Sequence, residues 1–345
     1  MILTARLGYA LKHAILSMLV CCWMIAICTG AIAATPSYIK RTDVRAFIDE
    51  MAQKHGFVRS ELEQLFGKVK HQSAVMKAIV PGAPGVRSWQ AYRARFVNPA
   101  RIQAGTAFWT RHQDALARAE RDFGVPAEII AAIIGVETVY GRNMGSFRVI
   151  DALVTLAFDY PKRAEFFREE LEQFLLLTRD SGRDVFGLKG SYAGAIGIPQ
   201  FMPGSYRRFA VDFDASGDAD LAGSPVDAIG SVGNFLKSHG WQAGGATTAQ
   251  VNVSGQGFRA LLDAGLKPST RAAELAAMGI TTSIPLEPDT LCALIELETP
   301  AKPAEFLAGL HNFWVITRYN RSSFYAASVI ELAAALKAAQ DITAR

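Results

Sequence analysis

The sequence predicts a mainly helical α+β protein, and three patterns support that fold class. Apolar residues recur at helical spacing through positions 43–119. A long apolar helix is predicted between Pro126 and Gly141, because proline is favoured at the first helical position and glycine just past the last. Two short runs, Val251–Val253 and Leu291–Leu297, read as strands separated by turn residues. We therefore expect helical layers with one small β-containing insert.

Further helices are predicted at about 161–179, 225–239 and 324–338, and a glycine-rich stretch at 187–204 follows the first of these. Together these elements predict a division into five parts. The parts are a signal peptide at 1–33, an N-terminal helical subdomain at 34–119, a central core at 120–242, a small β-containing subdomain at 243–305 and a C-terminal segment at 306–345 that completes the core.

The bulk composition is that of a globular protein. Half of the 345 residues are hydrophobic and a fifth are charged, which is too apolar for a disordered chain. The formal net charge is +4, and no concentrated Lys/Arg tract is present, so a nucleic-acid partner is not expected.

The first segment predicts export. Arg6 and Lys12 precede an uncharged apolar run at 14–28, and Ala31-Ile32-Ala33 is typical of a cleavage site. Cleavage there would remove two basic residues and no acidic one, lowering the net charge from +4 to +2. We expect a periplasmic protein. The alternative is an inner-membrane protein anchored by the uncleaved segment, since the run is nearly long enough to span a bilayer.

Cysteine usage fits an exported chain that is held together by its core. Three of the four cysteines lie in the signal segment, and only Cys292 remains. A single cysteine cannot form an internal disulfide. Cys292 lies in an apolar run, so we expect it to pack in the interior.

Glu137 is the strongest candidate for a chemical role. Ile130, Ile133 and Ile134 precede it by seven, four and three residues and so share its helical face. A carboxyl on an apolar stripe is desolvated, which raises its pKa toward the range that a general acid needs at neutral pH. The alternative is a buried ion pair, with Arg142 or Arg148 as the partner.

An ordinary glycosidase would need a second carboxylate near the first. Asp151 and Asp159 are close to Glu137 in sequence, but neither lies on a comparable apolar face. Asp151 could instead cap the helix that follows it. The residues alone therefore provide one acid without an evident partner.

An acidic loop at 212–220 could hold a metal ion. Oxygen-bearing side chains occupy alternate positions, as hard cations such as Ca²⁺ require, and a later aspartate could complete the set. The pattern departs from an EF-hand, because Ala219 stands where glycine is expected and Pro225 where glutamate is expected. The alternative is a solvated acidic turn. The candidate ligands are Asp214, Ser216, Asp218, Asp220 and Asp227.

Four segments resemble the lytic murein transglycosylase B family. Residues 134–145, IGVETVYGRNMG, resemble its catalytic-glutamate segment, and residues 191–203, SYAGAIGIPQFMP, resemble a second signature. DAIGSVGNF at 227–235 and NFWVITRYN at 312–320 are similar to two more. The order is the same and the matches cover most of the chain after the signal, so the joint resemblance is highly specific.

The resemblance implies that the core at 120–242 is a lysozyme-like catalytic core around a glycan groove. It also implies non-hydrolytic cleavage of the MurNAc-β-1,4-GlcNAc bond to 1,6-anhydromuramic ends. Glu137 would be the acid and then the base. Because the substrate's acetamido group can stabilise the cation, no second carboxylate is required. Ser191, Gln200, Tyr319, Asn320 and Tyr325 would bind substrate. Phe235 stands where the resemblance implies a tyrosine that contacts substrate, so it is left out of the site.

The same resemblance implies no cofactor for catalysis, calcium in a structural role, and peptidoglycan glycan strands as the partner. Other cell-wall enzymes are further candidate partners, and a monomer is expected. Two rival functions stay open: a hydrolytic muramidase that uses water on the same bond, and a non-catalytic scaffold that binds peptidoglycan.

Overall fold

The computed structural model describes residues 37–80 and 88–343, which form two compact units that divide between Lys68 and Val69. The smaller unit holds a 3-10 turn at Tyr38–Lys40 and the helices α1 (Thr42–His55) and α2 (Arg59–Lys68). Phe47 of α1 meets Phe66 of α2 edge to face, with ring centroids 6.1 Å apart. The division lies inside residues 34–119, which were predicted to form one helical subdomain.

The larger unit is mostly helical. Its helices are α3 (Ser73–Ile79), α4 (Trp89–Phe96), α5 (Pro99–Arg111), α6 (Gln113–Phe123), α7 (Ala127–Thr138), α8 (Val149–Asp159), α9 (Ala164–Ser181), α10 (Pro203–Phe209), α11 (Pro225–Ser238), α12 (Arg259–Asp263), α13 (Ala272–Leu275), α14 (His311–Ile316) and α15 (Ser323–Thr343). Short 3-10 turns occupy Pro161–Arg163 and Ala276–Met278.

Two antiparallel sheets interrupt the helices. The first is a two-stranded ribbon of β1 (Phe147–Arg148) and β2 (Lys189–Gly190). The strands of the second are β3 (Thr248–Val253), β4 (Thr270–Arg271), β5 (Ile280–Thr282), β6 (Leu291–Leu297) and β7 (Glu305–Gly309). These five strands lie in the order β4-β6-β7-β3-β5. The mainly helical α+β class is confirmed.

Helix α7 lies at the centre of the larger unit. Ten of its twelve residues are buried, as expected of a helix that is apolar on all sides. The long C-terminal helix α15 packs on α7 and also contacts α4 and α5. The end of the chain therefore returns to cover the helix that carries Glu137, which is why residues distant in sequence can share one site.

The predicted signal segment, residues 1–33, lies outside the described residues. Among the residues that are described, no helix has the length and apolar character needed to cross a bilayer. Cys292 lies buried in β6 and packs among apolar side chains of the five-stranded sheet, as its apolar run predicts.

Candidate active site

Glu137 occupies the next-to-last position of α7, where the helix stops abruptly. Val139 and Tyr140 follow with φ values of 52° and 59°, which is the left-handed region that non-glycine residues rarely adopt. Such strain persists only where the surroundings enforce it, and it is concentrated at functional sites. The abrupt end leaves Glu137 partly exposed at the edge of an apolar core.

The carboxyl of Glu137 has one hydrogen-bond partner in the described part of the chain. Tyr325 of α15 donates from Oη to Oε1 at 2.6 Å. Desolvation raises the pKa of Glu137 from its ordinary 4.5 to about 7, and the Tyr325 hydrogen bond opposes that rise. Arg148, one of the two predicted ion-pair partners of Glu137, pairs instead with the Asp151 carboxylate at 2.7 Å. No ion pair to Glu137 is found within residues 37–80 and 88–343, so the predicted alternative of a buried salt bridge is not what the structure shows.

Two tyrosines lie side by side next to this carboxyl. The rings of Tyr319 and Tyr325 are nearly parallel, at 15°, with centroids 6.4 Å apart. Burial raises the pKa of both phenols well above the ordinary value, so both stay protonated and act as donors at neutral pH. Tyr319 donates from Oη to the carbonyl oxygen of Pro199 at 2.6 Å, which ties the C-terminal segment to the glycine-rich stretch.

The glycine-rich stretch forms a compact loop that carries Ser191 and Gln200. Ser191 Oγ accepts from the Ala195 amide at 3.1 Å and so closes the first turn. Gln200 has a left-handed φ of 52°, and its Nε2 donates to Gly197 O at 2.9 Å and to Met144 O at 3.1 Å. The amide nitrogen is therefore used in holding the loop, while Oε1 has no partner among the described residues.

A groove of about 840 Å³ runs beside this loop. It brings together three of the predicted substrate-binding residues, Gln200, Tyr319 and Asn320. Ser191, Tyr325 and Glu137 are not part of its lining. The other lining residues are Arg163, Phe166, Phe167, Glu170, Ala193, Phe201, Met202, Ser205, Arg208, Phe209, Phe235, His239, Arg318 and Arg321. Four arginines and one glutamate make this wall basic, which suits an anionic or polar polymer.

Phe235 belongs to the groove, although the sequence analysis left it out. Its ring lies 4.8 Å from that of Tyr319 and stacks on His239 at 4.1 Å. It was set aside because phenylalanine lacks the hydroxyl of a tyrosine, yet its ring alone can line a sugar site. The resemblance at 227–235 was the signal that could have included it.

Tyr92 is a second residue that the candidate list omitted. It lies on α4, and burial together with the nearby Glu137 carboxylate raises its pKa. It lines a second cleft of about 570 Å³, and Arg321 lines both this cleft and the groove.

Asp151 is buried and serves the fold. Its Oδ1 accepts from the Lys70 amide at 3.0 Å, and its Oδ2 accepts from Gln72 Nε2 at 3.1 Å and from Arg148 Nε at 2.8 Å. Four oxygen lone pairs are thus largely occupied by donors from two segments. Asp151 lies inside the first turn of α8, whose N-cap is Arg148, so it does not cap the helix as the sequence suggested.

The acidic loop is built around Asp227. This fully buried residue accepts from the Phe213 and Asp214 amides through Oδ1 and from the Asp220 amide through Oδ2. Carboxylate oxygens of Asp212, Asp214 and Asp227 all lie within 4.8 Å of one another, which is close enough to share a cation. Asp212 was missing from the predicted ligands.

The remaining predicted ligands lie differently. Asp218 faces Arg183 at 2.5 Å and Asp220 lies 4.0 Å from the same guanidinium. Ser216 Oγ donates to the Asp218 carbonyl oxygen at 3.3 Å. Asp214 and Asp227 therefore belong to the carboxylate cluster, whereas Asp218 and Asp220 face the Arg183 guanidinium.

Residues 40–334 match the family model described as the transglycosylase SLT domain. The chain belongs to the transglycosylase SLT family. It is 42% identical over 312 residues to the membrane-bound lytic murein transglycosylase B of Escherichia coli (strain K12), covering 88% of this chain and 85% of that protein.

Solved structures of this family share the fold. The soluble lytic transglycosylase SltB1 of Pseudomonas aeruginosa superposes with a TM-score of 0.82 at 45% identity, covering 87% of this chain and 99% of that one. Escherichia coli Slt35 in complex with calcium has a TM-score of 0.79 at 42% identity, covering 90% and 95%. The predicted family and its lysozyme-like fold are confirmed, and the chain is an enzyme of the lytic transglycosylase class.

Proposed function

We propose that this chain cleaves the MurNAc-β-1,4-GlcNAc bond of peptidoglycan without water and leaves 1,6-anhydromuramic ends, with Glu137 as the only acid and base. The observation that carries the proposal is the environment of Glu137, a carboxyl with a pKa raised to about 7 that lies at the edge of an apolar core. A general acid works best when its pKa lies near the working pH.

In the first step, Glu137 donates its proton to the glycosidic oxygen. The bond from that oxygen to the anomeric carbon of MurNAc breaks, and the GlcNAc side leaves with a hydroxyl. The acetamido carbonyl oxygen of the same MurNAc takes up the positive charge at the anomeric carbon by bonding to it. This internal stabilisation replaces the second carboxylate of an ordinary glycosidase.

In the second step, the Glu137 carboxylate removes the proton from the 6-hydroxyl of MurNAc. O6 attacks the anomeric carbon, the bond to the acetamido oxygen breaks, and the 1,6-anhydro ring closes. Glu137 ends protonated as it began. No water is consumed. Because Glu137 gives up its proton in the first step and regains one in the second, it is negatively charged only between the two steps, and there the Tyr325 hydrogen bond stabilises the charge.

The carboxylates near the site support a one-acid mechanism. Asp151 is buried and holds two other segments through its oxygens. Glu170 reaches the groove wall, but its Oε2 accepts from the Gly204 amide at 2.8 Å. Each is committed to a structural hydrogen bond, which leaves Glu137 as the acid available for proton transfer.

The predicted substrate-binding residues suit a glycan. Tyr319 and Phe235 offer aromatic faces in the groove, and rings of this kind pack on the apolar faces of sugars. Gln200 Oε1 and the side chain of the exposed Asn320 can hydrogen-bond sugar hydroxyls and acetamido groups. We assign Ser191 and Tyr325 to the same site, Ser191 through the Gln200 loop and Tyr325 through its contact with Glu137.

The substrate class fits what relatives bind. Escherichia coli Slt35 has been solved with bulgecin A, and Pseudomonas aeruginosa SltB3 with NAG-NAM-pentapeptide. The basic groove wall of this chain is suited to a substrate that carries peptide carboxylates. We propose an exported location where such glycan strands occur, by cleavage of the predicted signal or by its retention as an anchor, with the chain acting as a monomer.

Calcium is proposed in a structural role only. Asp212, Asp214 and Asp227 would hold the ion, because their oxygens converge and Asp227 is fixed by three backbone amides. The Slt35 relative was solved in complex with calcium. Ser216, Asp218 and Asp220 were also predicted as ligands from the sequence. Arg183 engages Asp218 and Asp220, and Ser216 Oγ donates to the Asp218 carbonyl oxygen, so the proposed ion is held by the three converging carboxylates. The ion would supply charge neutralisation for the acidic loop.

Product analysis tests the proposal. Purified peptidoglycan is digested by the wild type and by Glu137→Gln, and the muropeptides are weighed by mass spectrometry. The wild type should give products lighter by one water than reducing-end muropeptides, and the variant should give almost none. Reducing-end products would identify a hydrolytic muramidase instead, and full activity of the variant would remove Glu137 from the mechanism.

A further inference from the structure

Thr138 stands directly after Glu137 and is fully buried. Its hydroxyl donates to the carbonyl oxygen of Ile198 at 2.8 Å and accepts from the Gly141 amide at 2.9 Å. A longer contact of 3.4 Å reaches Ile134 O within the helix. A threonine near a helix end usually bonds back to its own helix, so the strong bond to a separate loop is the notable feature.

One end of this bridge is the strained turn after the helix. Val139 and Tyr140 have positive φ values, and for a β-branched residue this is an outlier that the surroundings must enforce. Thr138 supplies that enforcement twice. Its hydroxyl binds the Gly141 amide, and its own carbonyl oxygen accepts from the Asn143 amide at 2.9 Å.

The other end of the bridge is the loop that carries Gln200. Ile198 precedes Gln200 by two residues, and the Ile198 amide donates to Leu221 O at 2.8 Å. Gln200 itself has a left-handed φ, and its Nε2 returns to Met144 O in the turn after α7. Two hydrogen bonds, one from Thr138 and one from Gln200, therefore join the end of α7 and its turn to the loop.

We propose that Thr138 is a positioning residue, whose hydroxyl fixes the Gln200 loop relative to the Glu137 carboxyl. This rests on the proposed function, in which Glu137 transfers the proton and Gln200 binds substrate. Buried polar groups that lose their partner force the structure to rearrange, and here both Ile198 O and the Gly141 amide depend on one hydroxyl. A displacement of about 1 Å between reacting groups can lower a rate by about 100-fold.

Two variants of Thr138 separate the hydroxyl from the shape of the side chain. Thr138→Val keeps the volume and removes the hydrogen bonds, whereas Thr138→Ser keeps the hydroxyl. Thr178→Val is the matched control: Thr178 is also buried, and its hydroxyl donates to Phe174 O and Leu175 O within α9. Glu137→Gln is measured alongside, so that failure of the proposed function is recognised separately.

The measurements are the pH profile of the turnover rate on peptidoglycan and the melting temperature. We expect Thr138→Val to lower the rate by roughly 10- to 100-fold. Its profile should keep the wild-type upper pKa, because burial and the Tyr325 bond of Glu137 are unchanged. Thr138→Ser should recover the rate to within a few-fold of the wild type, and Thr178→Val should lose stability without losing rate.

Three results would overturn the proposal. The first is a wild-type rate for Thr138→Val while Glu137→Gln is inactive. The second is an equal loss in Thr138→Ser, which would show that the methyl group and not the hydroxyl matters. The third is a rate loss in Thr178→Val as large as that in Thr138→Val, which would reduce the effect to general stability. Activity of Glu137→Gln would instead refute the proposed function itself.

Discussion

Tyr325 donates a 2.6 Å hydrogen bond to Glu137 across 188 positions of sequence. Desolvation favours the protonated carboxyl and raises the pKa of Glu137, while the phenol favours the charged form and lowers that pKa. The balance leaves the pKa of Glu137 at about 7, so the carboxyl can both donate and accept a proton at neutral pH. The pairing depends on α15 packing against α7.

Removal of this phenol should change the pH dependence in a known direction. In Tyr325→Phe the ring remains but the donor is lost, so the pKa of Glu137 should rise and the fall in activity on the alkaline side should move to higher pH. The rate should also drop by roughly 10- to 100-fold, since a hydrogen bond to a charged group is worth roughly 1.5–3 kcal/mol. A pH–rate profile measures both effects.

Tyr319→Phe is the comparison for that experiment. Its hydroxyl binds Pro199 O and not Glu137, so the alkaline limb should keep its wild-type position even if substrate binding weakens. An alkaline limb that moves equally in both variants, or that moves to lower pH in Tyr325→Phe, would contradict the assigned electrostatics.

The raised pKa of Glu137 should also be visible in stability. The folded state holds this proton up to about pH 7, whereas the unfolded chain releases it near 4.5, so the folded state binds more protons in that window. The free energy of unfolding should therefore fall as pH rises through it, by about 3 kcal/mol in total from this group.

Glu137→Gln removes that dependence, because glutamine does not titrate. We expect the variant to unfold at higher denaturant concentration than the wild type at pH 8 and at about the same concentration at pH 4. Equal midpoints at both pH values would show that Glu137 is not desolvated in the folded protein.

Asp151 should matter for stability and not for chemistry. In Asp151→Asn one oxygen becomes an amide that cannot accept from Gln72 or Arg148, so the free energy of unfolding should fall by roughly 1–3 kcal/mol. Activity at 25 °C should stay within about twofold of the wild type, as measured by muropeptide release. A loss of activity comparable to that of Glu137→Gln would make Asp151 the second carboxylate of a glycosidase.

Calcium should stabilise the fold without changing the reaction. We expect calcium to raise the melting temperature of the wild type by roughly 2–5 °C at saturating concentration. The double variant Asp212→Asn/Asp214→Asn should not respond, because it removes two of the three converging carboxylates. A response that persists in the double variant would place the ion elsewhere, and no response in the wild type would leave the loop without a metal role.

The sequence predicted individual helices and strands better than the contacts between residues that are far apart in the chain. The strands at Leu291–Leu297 and near Val251 were found because short runs of strand-forming residues bounded by turn residues are local signals. Helix α7 was also found, but it ends at Thr138, three residues before Gly141, because Val139 and Tyr140 accept a strained turn. Propensity rules do not anticipate strain that tertiary contacts hold in place.

The candidate site shows the same division. Glu137 could be chosen from helical periodicity, since burial of a carboxyl on an apolar face is a local property. Its actual partner Tyr325 came only from the family resemblance, and Tyr92 was overlooked because nothing local marks a residue of α4 as a neighbour of α7. Asp212 was missed because the predicted metal pattern began at Asp214. In the fold, the carboxylates of Asp212 and Asp214 both lie next to that of Asp227.

The most direct test of the central claim is the mass of the muropeptides released by wild-type protein from purified peptidoglycan. If Glu137 acts as both acid and base and O6 of the substrate closes the ring, the released muropeptides should be lighter by one water than their reducing counterparts. Release should fall by roughly 10²- to 10⁴-fold in Glu137→Gln. Muropeptides of full reducing-end mass, or undiminished release by the variant, would contradict the account.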